Sequence, residues 1–268
     1  MGNDGNARDR YGAVRATFGA AAAAYTVSAG HADAEALARV VAYAEATSSD
    51  VVLDVATGAG HTALALAPYV ASVVALDITP EMLAETARNA ARRGVRNVRV
   101  QIGAAEALPF RDGGFDIVTV RTAAHHFADI ERAVFEVARV ARQGGRVVVV
   151  DTTVPEDDSL DAEINAIEVL RDPSHVRNYR VSEWRRMLGA AGLRISGEHF
   201  DRYTEGGGRV DFETWTRRAG TGPEAVVELR RRFRGASAAL VAALDIEVQG
   251  EAIGFTLPKV EIVARKVP

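Results

Sequence analysis

The fold is decided by residues 51–66, which read VVLDVATGAGHTALAL. The β-branched run Val51–Val55 predicts a strand, and Ala56–Gly60 predicts a tight glycine turn. Residues His61–Leu66 predict a helix that ends before Pro68. A strand that passes through a glycine turn directly into a helix is typical of the first unit of a parallel α/β sheet.

The same alternation continues along the chain. Further strands are predicted at Val73–Asp77, Val98–Ile102, Phe115–Val120, Arg146–Val150, Leu193–Phe200 and Phe255–Arg265. The first five strand segments are almost continuously apolar, as expected when helices cover both faces of a sheet. We therefore predict an α/β fold with a doubly wound, mostly parallel, seven-stranded Rossmann-like sheet.

The remaining segments predict additions to a single domain of 268 residues. The core is expected at about 40–155, an N-terminal helical lid at 1–39 and a helical, lid-like insertion at about 155–190. Residues 191–268 are expected to contribute the last strands and further helices near 211–218 and 224–234.

Composition excludes several functional classes. With 48% hydrophobic and 25% charged residues, the chain has the composition of a soluble globular protein. It contains no cysteine, which excludes a cysteine nucleophile, an iron–sulfur cluster and a thiolate zinc site. The net charge of −4 argues against a nucleic-acid partner, and the basic run Arg230–Arg234 is interpreted as a solvated helix end.

No apolar run is long enough to span a membrane, and the N-terminus lacks the layout of a signal peptide. We therefore expect a cytoplasmic protein without a membrane partner. The adjacent His125 and His126 lack the spacing of a metal site, so no bound metal is expected.

Chemistry-bearing residues follow the strands where ligands bind in an open parallel sheet. They are Asp54 with the glycine turn, Asp77, the turn Gly103–Glu106, and the segment Arg121–His126. Glycines admit a ligand close to the backbone, and an acid after the second strand can accept hydrogen bonds from a ribose. Together these features predict a nucleoside-containing ligand.

Three functional interpretations remain open at this point. Gly58, Gly60 and Ala63, with Asp77 after the second strand, nearly satisfy the dinucleotide fingerprint of NAD(P)-dependent oxidoreductases. Asp54 argues against that class, because its negative charge would face a pyrophosphate, whereas a ligand with an ammonium group would be attracted. The others are an enzyme that uses a nucleoside carrying an ammonium group and a non-catalytic protein that binds the same nucleoside, for which an acceptor cavity would be absent.

Several motifs in combination resemble those of one family. Leu53–His61 resembles the first motif of class I S-adenosylmethionine-dependent methyltransferases, in the branch of the ubiquinone/menaquinone biosynthesis C-methyltransferases (methyltransferase domain families 11 and 25). Leu76–Leu83 is similar to the second motif, and Ala105–Phe110 with Phe115–Val118 to the third and fourth. Arg171–Arg177 is similar to a smaller bacterial subgroup of the same family.

The resemblance implies S-adenosyl-L-methionine as cofactor and S-adenosyl-L-homocysteine as product. Asp54 would lie near the ammonium, Asp77 would bind the ribose, and Ile78 and Met82 would enclose the adenine. Many relatives carry an acid where this chain has Ala104, so somewhat weaker cofactor binding is expected. The implied cofactor-binding residues are Asp54, Ala56, Thr57, Gly58, Gly60, Asp77, Ile78, Met82, Ala104, Ala105, Glu106 and Arg121.

Methyl transfer is an in-line displacement, and a base is needed only where the nucleophile must lose a proton. His125 and His126 are the catalytic candidates because histidine titrates near neutral pH. The acceptor is expected to be a small molecule with a C, O or N nucleophile, and the protein a monomer or homodimer. The candidate acceptor-binding residues are Tyr25, Asp151, His175, Arg177 and Tyr179, with Arg171 as a further anion-binding candidate and Ser28 and His31 as lid candidates.

Overall fold

The computed structural model describes residues 11–12, 14–19, 22, 33–205 and 207–267. Its strands are β1 Val51–Val55, β2 Ser72–Asp77, β3 Val98–Ile102, β4 Phe115–Arg121, β5 Ala141–Val154, β6 Tyr179–Arg180, β7 Leu193–Tyr203, β8 Val210–Asp211, β9 Glu247–Gln249, β10 Ala252–Phe255 and β11 Leu257–Lys266. Its helices are α1 Ala34–Ala44, α2 His61–Leu66, α3 Pro80–Arg92, α4 Ile130–Val140, α5 Asp158–Arg171, α6 Val181–Ala190, α7 Phe212–Ala219, α8 Pro223–Arg234 and α9 Ala238–Leu244, with short 3₁₀ turns at Ala67–Tyr69 and Ala124–His126.

The main sheet has the strand order β3-β2-β1-β4-β5-β11-β7. Neighbours from β3 to β5 are parallel, and β11 is antiparallel to both β5 and β7. The predicted seven-stranded, mostly parallel sheet is therefore confirmed. The two-residue β6 pairs with the end of β5. The observed β5 is longer than the strand predicted at Arg146–Val150, because α4 ends at Val140 and β5 begins at the next residue.

Strand order reverses between β1 and β4. The chain runs from β1 outward to β2 and β3, then returns to β4 on the other side of β1. Because the connections diverge at this point, a crevice opens beyond the carboxyl ends of the two strands. The glycine turn after β1 and the histidine pair after β4 both belong to this edge of the sheet.

Helices cover both faces of the sheet, which explains the continuous apolar strand runs. One face packs Ile130, Val134 and Val137 of α4 together with Trp184 and Met187 of α6. The other face packs buried residues of α1, α2 and the strands, among them Ala44, Ala63, Leu66 and Val73.

A second hydrophobic core lies outside the main sheet. It contains the aromatic residues Phe212, Trp215, Phe233 and Phe255, carried by α7, α8 and β10. The strands β8, β10 and β9 form a small antiparallel sheet of their own. Ile164 and Ile167 of α5 join this core, whereas α6 joins the main one. Residues 155–190 are thus shared between two packing units, and α5 connects the second unit to the site.

Candidate active site

The glycine turn after β1 is held by two side chains of α3. Its backbone is left-handed at Ala56 (φ 53°), Gly58 (φ 55°) and Gly60 (φ 85°). Thr86 donates its hydroxyl to the carbonyl of Gly58 at 2.7 Å, and Asn89 donates its amide to the carbonyl of Ala59 at 2.9 Å. A side chain at Gly58 would meet no atom within 4 Å, so this position borders open space. The turn is therefore fixed by α3 and open towards the crevice.

Gly60 has a packing role that its place in the motif did not reveal. A Cβ at this residue would lie 2.7 Å from Cγ2 of Thr86, and φ is +85°. We expect Gly60→Ala to destabilise the protein by about 2–4 kcal/mol, because it adds a clash to a strained backbone. Urea denaturation measures this.

Gly192→Ala is the matched control for that substitution. Gly192 has φ +77° and no atom within 4 Å of an added Cβ, so it incurs the backbone strain alone. Replacing Thr86 by Ser in the Gly60→Ala variant removes Cγ2 but keeps the hydroxyl, and should restore part of the stability. Equal losses for Gly60→Ala and Gly192→Ala would contradict the clash.

Asp77 lies at the end of β2 and organises the same turn. Its Oδ2 accepts the backbone N–H of Gly58 and its Oδ1 accepts that of Thr79, both at 2.9 Å. Burial raises the pKa of Asp77 above its ordinary value, although these N–H groups oppose the change. Each oxygen retains a lone pair for a further donor. The carboxylate is therefore suited to bind a diol.

Asp54 lies at the end of β1 and is buried. Its two oxygens accept the hydroxyls of Thr57 at 2.6 Å and Thr119 at 2.7 Å. Burial raises the pKa of Asp54 above its ordinary value, although these two hydroxyls and the charge of Arg121 oppose the change. The side chain thus fixes the start of the turn as well as facing the crevice.

These groups line a single cleft of about 940 Å³, a volume that includes the solvent at its mouth. Every predicted cofactor-binding residue except Gly60 lines it. The cleft is also lined by Ala59, Gly103, Thr122 and Ala123, which belong to the segments predicted to meet the ligand, and by the predicted catalytic residue His126. The residues given no ligand role from the sequence are Tyr11, Val14, Phe18, His61, Thr62, Leu76, Thr79 and Phe127.

Tyr11, Val14 and Phe18 belong to the N-terminal segment, whose residues 14–19 are helical. Arg15 in this segment donates to the carbonyl of Ile78 at 3.1 Å. The segment therefore borders the cleft, and its role as a lid stays a prediction. The residues named for that role, Tyr25, Ser28 and His31, lie outside the described residues.

Glu106 acts differently from its neighbours Ala104 and Ala105. Its Oε1 accepts the backbone N–H of Ala128 at 2.8 Å, just before α4, and Tyr11 donates its hydroxyl to the same carboxylate. Ala104 pairs with Ala107 in an isolated bridge. The turn after β3 thus offers backbone and apolar surface to the cleft, while the Glu106 carboxylate is already engaged.

A second cavity of about 600 Å³ adjoins the first. The two share Phe18, Thr122 and His126. The other residues that line the second cavity are His125, Thr152, Glu168, Arg171, Asp172, His175, Tyr203, Trp215, Arg218 and Leu257. It lies between the sheet edge and the second core, because Trp215 and Leu257 are members of that core.

His125 and Asp151 form a hydrogen-bonded dyad at this cavity. Nδ1 of His125 lies 2.6 Å from Oδ1 of Asp151, which is buried, and the backbone N–H of His125 donates to the other carboxylate oxygen at 3.1 Å. A carboxylate accepts, so Nδ1 carries the hydrogen and Nε2 has the free lone pair. Burial opposes protonation of His125, but Asp151 outweighs it and raises the pKa of the imidazole.

His126 is held in the neutral state. Its Nδ1 donates to the carbonyl of Ser174 at 3.0 Å, which leaves Nε2 as an acceptor. Burial, with a contribution from the neighbouring His125, lowers the pKa of His126 to about 3. Burial also lowers the pKa of His175, whose Nε2 lies 3.4 Å from Oδ1 of Asn165. His125 is therefore the one of the three that is suited to take up a proton near neutral pH.

Thr122 joins the two cavities with a strained backbone. Its φ is 53°, a left-handed value that a β-branched residue rarely adopts. The N–H of Thr122 donates to the carbonyl of Val150 at 2.7 Å, which holds the residue in place. Strain of this kind costs about 1–3 kcal/mol and persists where the surrounding structure enforces it.

The structure places two of the predicted acceptor-binding residues elsewhere. Arg177 pairs with Asp161 at 2.7 Å and Glu183 at 3.0 Å, and its guanidinium lies 5.8 Å from the ring of Tyr179. Both residues line a surface groove near the start of α4. The two carboxylates attract Arg177 away from the sheet edge. Asp151 lies behind His125, and of this predicted group His175 lines the second cavity.

Four residues of the second cavity that the sequence did not indicate come from the second packing unit and from α5, which connects it to the site. Glu168 is on α5, Tyr203 ends β7, and Trp215 and Arg218 are on α7. None belongs to a motif, and they converge only through the tertiary fold. Within the described residues, no group of three or more His, Cys, Asp or Glu side chains could hold a metal ion, and no helix is both long and apolar enough to cross a membrane.

Comparison with known proteins identifies the family. Residues 53–149 match the model of the methyltransferase domain, which spans β1 to β5. The chain is 40% identical to YcgJ, an uncharacterized methyltransferase of Bacillus subtilis. The alignment covers 86% of this chain and 90% of YcgJ. The chain belongs to the methyltransferase domain family. It is therefore an enzyme of the methyltransferase class.

Solved structures agree with this family. The crystal structure of Bacillus subtilis YcgJ superposes on this chain with a TM-score of 0.81 and 37% sequence identity. The superposition covers 87% of this chain and 99% of the YcgJ chain. A Bacillus halodurans C-125 protein gives a TM-score of 0.82 at 34% identity, with 87% and 100% coverage.

The quinone-biosynthesis branch is also represented among the relatives. A demethylmenaquinone methyltransferase of Thermus thermophilus is 47% identical over 107 residues, which are 39% of this chain and 48% of that protein. The resemblance derived from the motifs is thereby confirmed.

Proposed function

We propose that this methyltransferase binds S-adenosylmethionine in the cleft and transfers its methyl group to a small molecule held in the second cavity. The observation that carries the proposal is the contact between the two cavities at Phe18, Thr122 and His126. A donor in one cavity and an acceptor in the other would meet at these residues. The adjoining cavity argues against the alternative of a non-catalytic nucleoside-binding protein.

The residues that line the cleft fit this cofactor. Asp77 offers lone pairs for a ribose diol, and Gly58 leaves open space beside the backbone where a methionine group would lie. Met82 and Ile78 supply apolar surface for the adenine, and Asp54 supplies negative charge opposite an ammonium. When bound, S-adenosylmethionine supplies a methyl group on a positively charged sulfur. A C, O or N nucleophile would attack the methyl carbon in line, with S-adenosylhomocysteine as the leaving group.

The protein's own residues position and deprotonate the acceptor. Nε2 of His125 accepts a proton from the acceptor, and Asp151 fixes the tautomer and stabilises the resulting imidazolium. Nε2 of His126 remains an acceptor throughout, because its pKa is about 3, and orients a donor group of the acceptor at the junction. Phe18 packs edge-on against His126 at 4.9 Å between ring centroids and limits water at this point.

Two measurements test the proposal. Calorimetric titration should give micromolar binding of S-adenosylmethionine and S-adenosylhomocysteine, with no heat from NAD or NADP at the same concentrations. Incubation with S-adenosylmethionine labelled in its methyl group should then transfer label to the small-molecule fraction of a cell extract. Binding of NAD or NADP in place of the first pair would favour the oxidoreductase alternative, and binding without transfer the non-catalytic one.

A further inference from the structure

Glu168 carries a buried carboxylate oxygen without a hydrogen-bond donor. The residue is 3% exposed and lines the second cavity. Its Oε2 accepts a hydrogen bond from Nη1 of Arg171 at 2.8 Å, whereas its Oε1 is buried and accepts none from any residue that the structure describes. A buried acceptor left without a donor destabilises a protein. Because Glu168 lines the cavity, a ligand bound there can provide the donor that this oxygen lacks.

The two arginines of this cavity already have carboxylate partners. Arg171 pairs with Glu168, and Arg218 pairs with Glu205 while donating to the hydroxyl of Tyr203 at 3.1 Å. The expectation that Arg171 binds an anion therefore lacks the free positive charge that it requires.

The cavity lining carries two carboxylates and two guanidinium groups, and negative charge exceeds positive charge once Asp151 and Glu205, which pair with residues of this lining, are included. Asp172 is buried and accepts the hydroxyl of Ser174 at 2.6 Å, and none of the ion pairs found in the described residues includes it. Asp151 lies behind His125, and the two other histidines are neutral. An anion placed here would be repelled, since charges interact strongly when they are shielded from water.

Aromatic side chains form much of the remaining wall. Trp215, Tyr203 and Phe18 line the cavity, and the guanidinium of Arg171 lies 4.9 Å from the centroid of the Trp215 ring. These surfaces favour a flat, apolar body. A ligand that satisfies the cavity thus combines an aromatic or similarly flat body with an N–H or O–H donor for Glu168. The buried indole N–H of Trp215, which also lacks a partner among the described residues, requires a neutral acceptor on the same ligand.

We propose that the methyl acceptor is a neutral or cationic aromatic molecule that donates an N–H or O–H group to Oε1 of Glu168, and that Glu168 excludes carboxylate and phosphate acceptors. This proposal rests on the proposed function, because it assigns the second cavity to the acceptor. Glu168 is a specificity-determining residue, and its negative charge also contributes to the raised pKa of His125.

Three probes of similar shape and different charge test the proposal. Tyramine, tyrosol and 4-hydroxyphenylacetate share a hydroxyphenyl ring and carry one positive, no and one negative charge near neutral pH. Their affinities for the protein saturated with S-adenosylhomocysteine are measured by calorimetry and by saturation-transfer NMR. We expect tyramine and tyrosol to bind at least about tenfold more tightly than 4-hydroxyphenylacetate, which corresponds to about 1.4 kcal/mol.

Glu168→Gln is the decisive variant. It can keep an oxygen for Arg171 while replacing the unpartnered acceptor by an amide donor and removing one negative charge. The preference against 4-hydroxyphenylacetate should fall below about threefold. Glu163→Gln removes the same charge from the same helix, at a residue outside the cavity, and should leave the preference unchanged.

Tighter or equal binding of 4-hydroxyphenylacetate overturns the proposal, as does a preference that survives in Glu168→Gln or the absence of binding by all three probes. If Glu168→Gln does not fold, the charge preference of the natural protein still decides. Failure of S-adenosylhomocysteine itself to bind would instead overturn the proposed function, so the two failures are distinguishable.

Discussion

Replacing Asp77 by Ala should lower the affinity for S-adenosylhomocysteine by at least about 10²-fold. In the proposed complex the carboxylate offers a charged acceptor to each ribose hydroxyl, and such hydrogen bonds contribute about 1.5–3 kcal/mol each. It also holds Gly58 and Thr79 through their backbone N–H groups. The substitution therefore removes ligand contacts and loosens the turn that surrounds the ligand. Calorimetric titration of the folded variant measures the loss.

Asp77→Asn distinguishes these two contributions. Both carboxylate oxygens accept backbone N–H groups, so an amide must set its own N–H₂ against one of them. We expect this variant also to bind poorly, although its side chain has the same shape. Because burial raises the pKa of Asp77, affinity in the natural protein should decline on acidification at a higher pH than for an exposed aspartate.

Asp116→Asn is the control for loss of a structural carboxylate. Asp116 accepts the backbone N–H of Val51 at 2.8 Å and pairs with Arg142, near the opposite ends of β1 and β4. This substitution should lower the melting temperature and leave the affinity unchanged. An Asp77→Ala variant that is folded and binds S-adenosylhomocysteine within tenfold of the natural protein would remove Asp77 from the site.

The cleft was largely predictable because its residues follow consecutive strands. Asp54, Gly58 and Asp77 each come directly after a hydrophobic run, and parallel strands bring their carboxyl ends to one edge. Gly60 shows the limit of this reasoning. A glycine in the motif can be required by a neighbouring helix, here through Thr86, and the linear pattern contains no information about that contact.

The second cavity was less predictable because long-range pairing decides which charges face it. Arg171 and Arg177 lie within one segment and have the same side chain, yet Arg171 lines the cavity while Arg177 is bound by Asp161 and Glu183. Arg218 on α7 pairs with Glu205, which lies just after the end of β7. Charges that look available in the sequence are thus neutralised by residues that only the fold brings near.

Replacing Asp151 by Asn should lower the rate of methyl transfer by about 10²-fold or more, with little change in the affinity for S-adenosylhomocysteine. The carboxylate makes Nδ1 of His125 the protonated nitrogen, at a separation of 2.6 Å. An asparagine that presents its N–H₂ to Nδ1 reverses the tautomer, so that Nε2 carries a hydrogen and can no longer act as a base. The rate is measured as labelled methyl incorporated into the small-molecule extract.

The pH dependence gives an independent measure of the same dyad. Transfer requires neutral His125, so the rate should fall as the pH drops through the pKa of this imidazole, which Asp151 raises above 6.5. His126 does not contribute to this limb, because its pKa is about 3. In Asp151→Asn the protonated form loses its partner, and the NMR titration of His125 should move to lower pH.

His126→Gln separates proton transfer from positioning. Glutamine keeps a hydrogen-bond acceptor at the junction but cannot titrate, and His126 is neutral throughout the working range. The variant should therefore change the concentration of acceptor needed for half-maximal rate more than the maximal rate, with the acid limb unchanged. If the fall in rate at low pH disappears in His126→Gln, or occurs at an unchanged pH in Asp151→Asn, His125 is not the base. The dyad would then have a structural role, joining the end of β5 to the turn after β4.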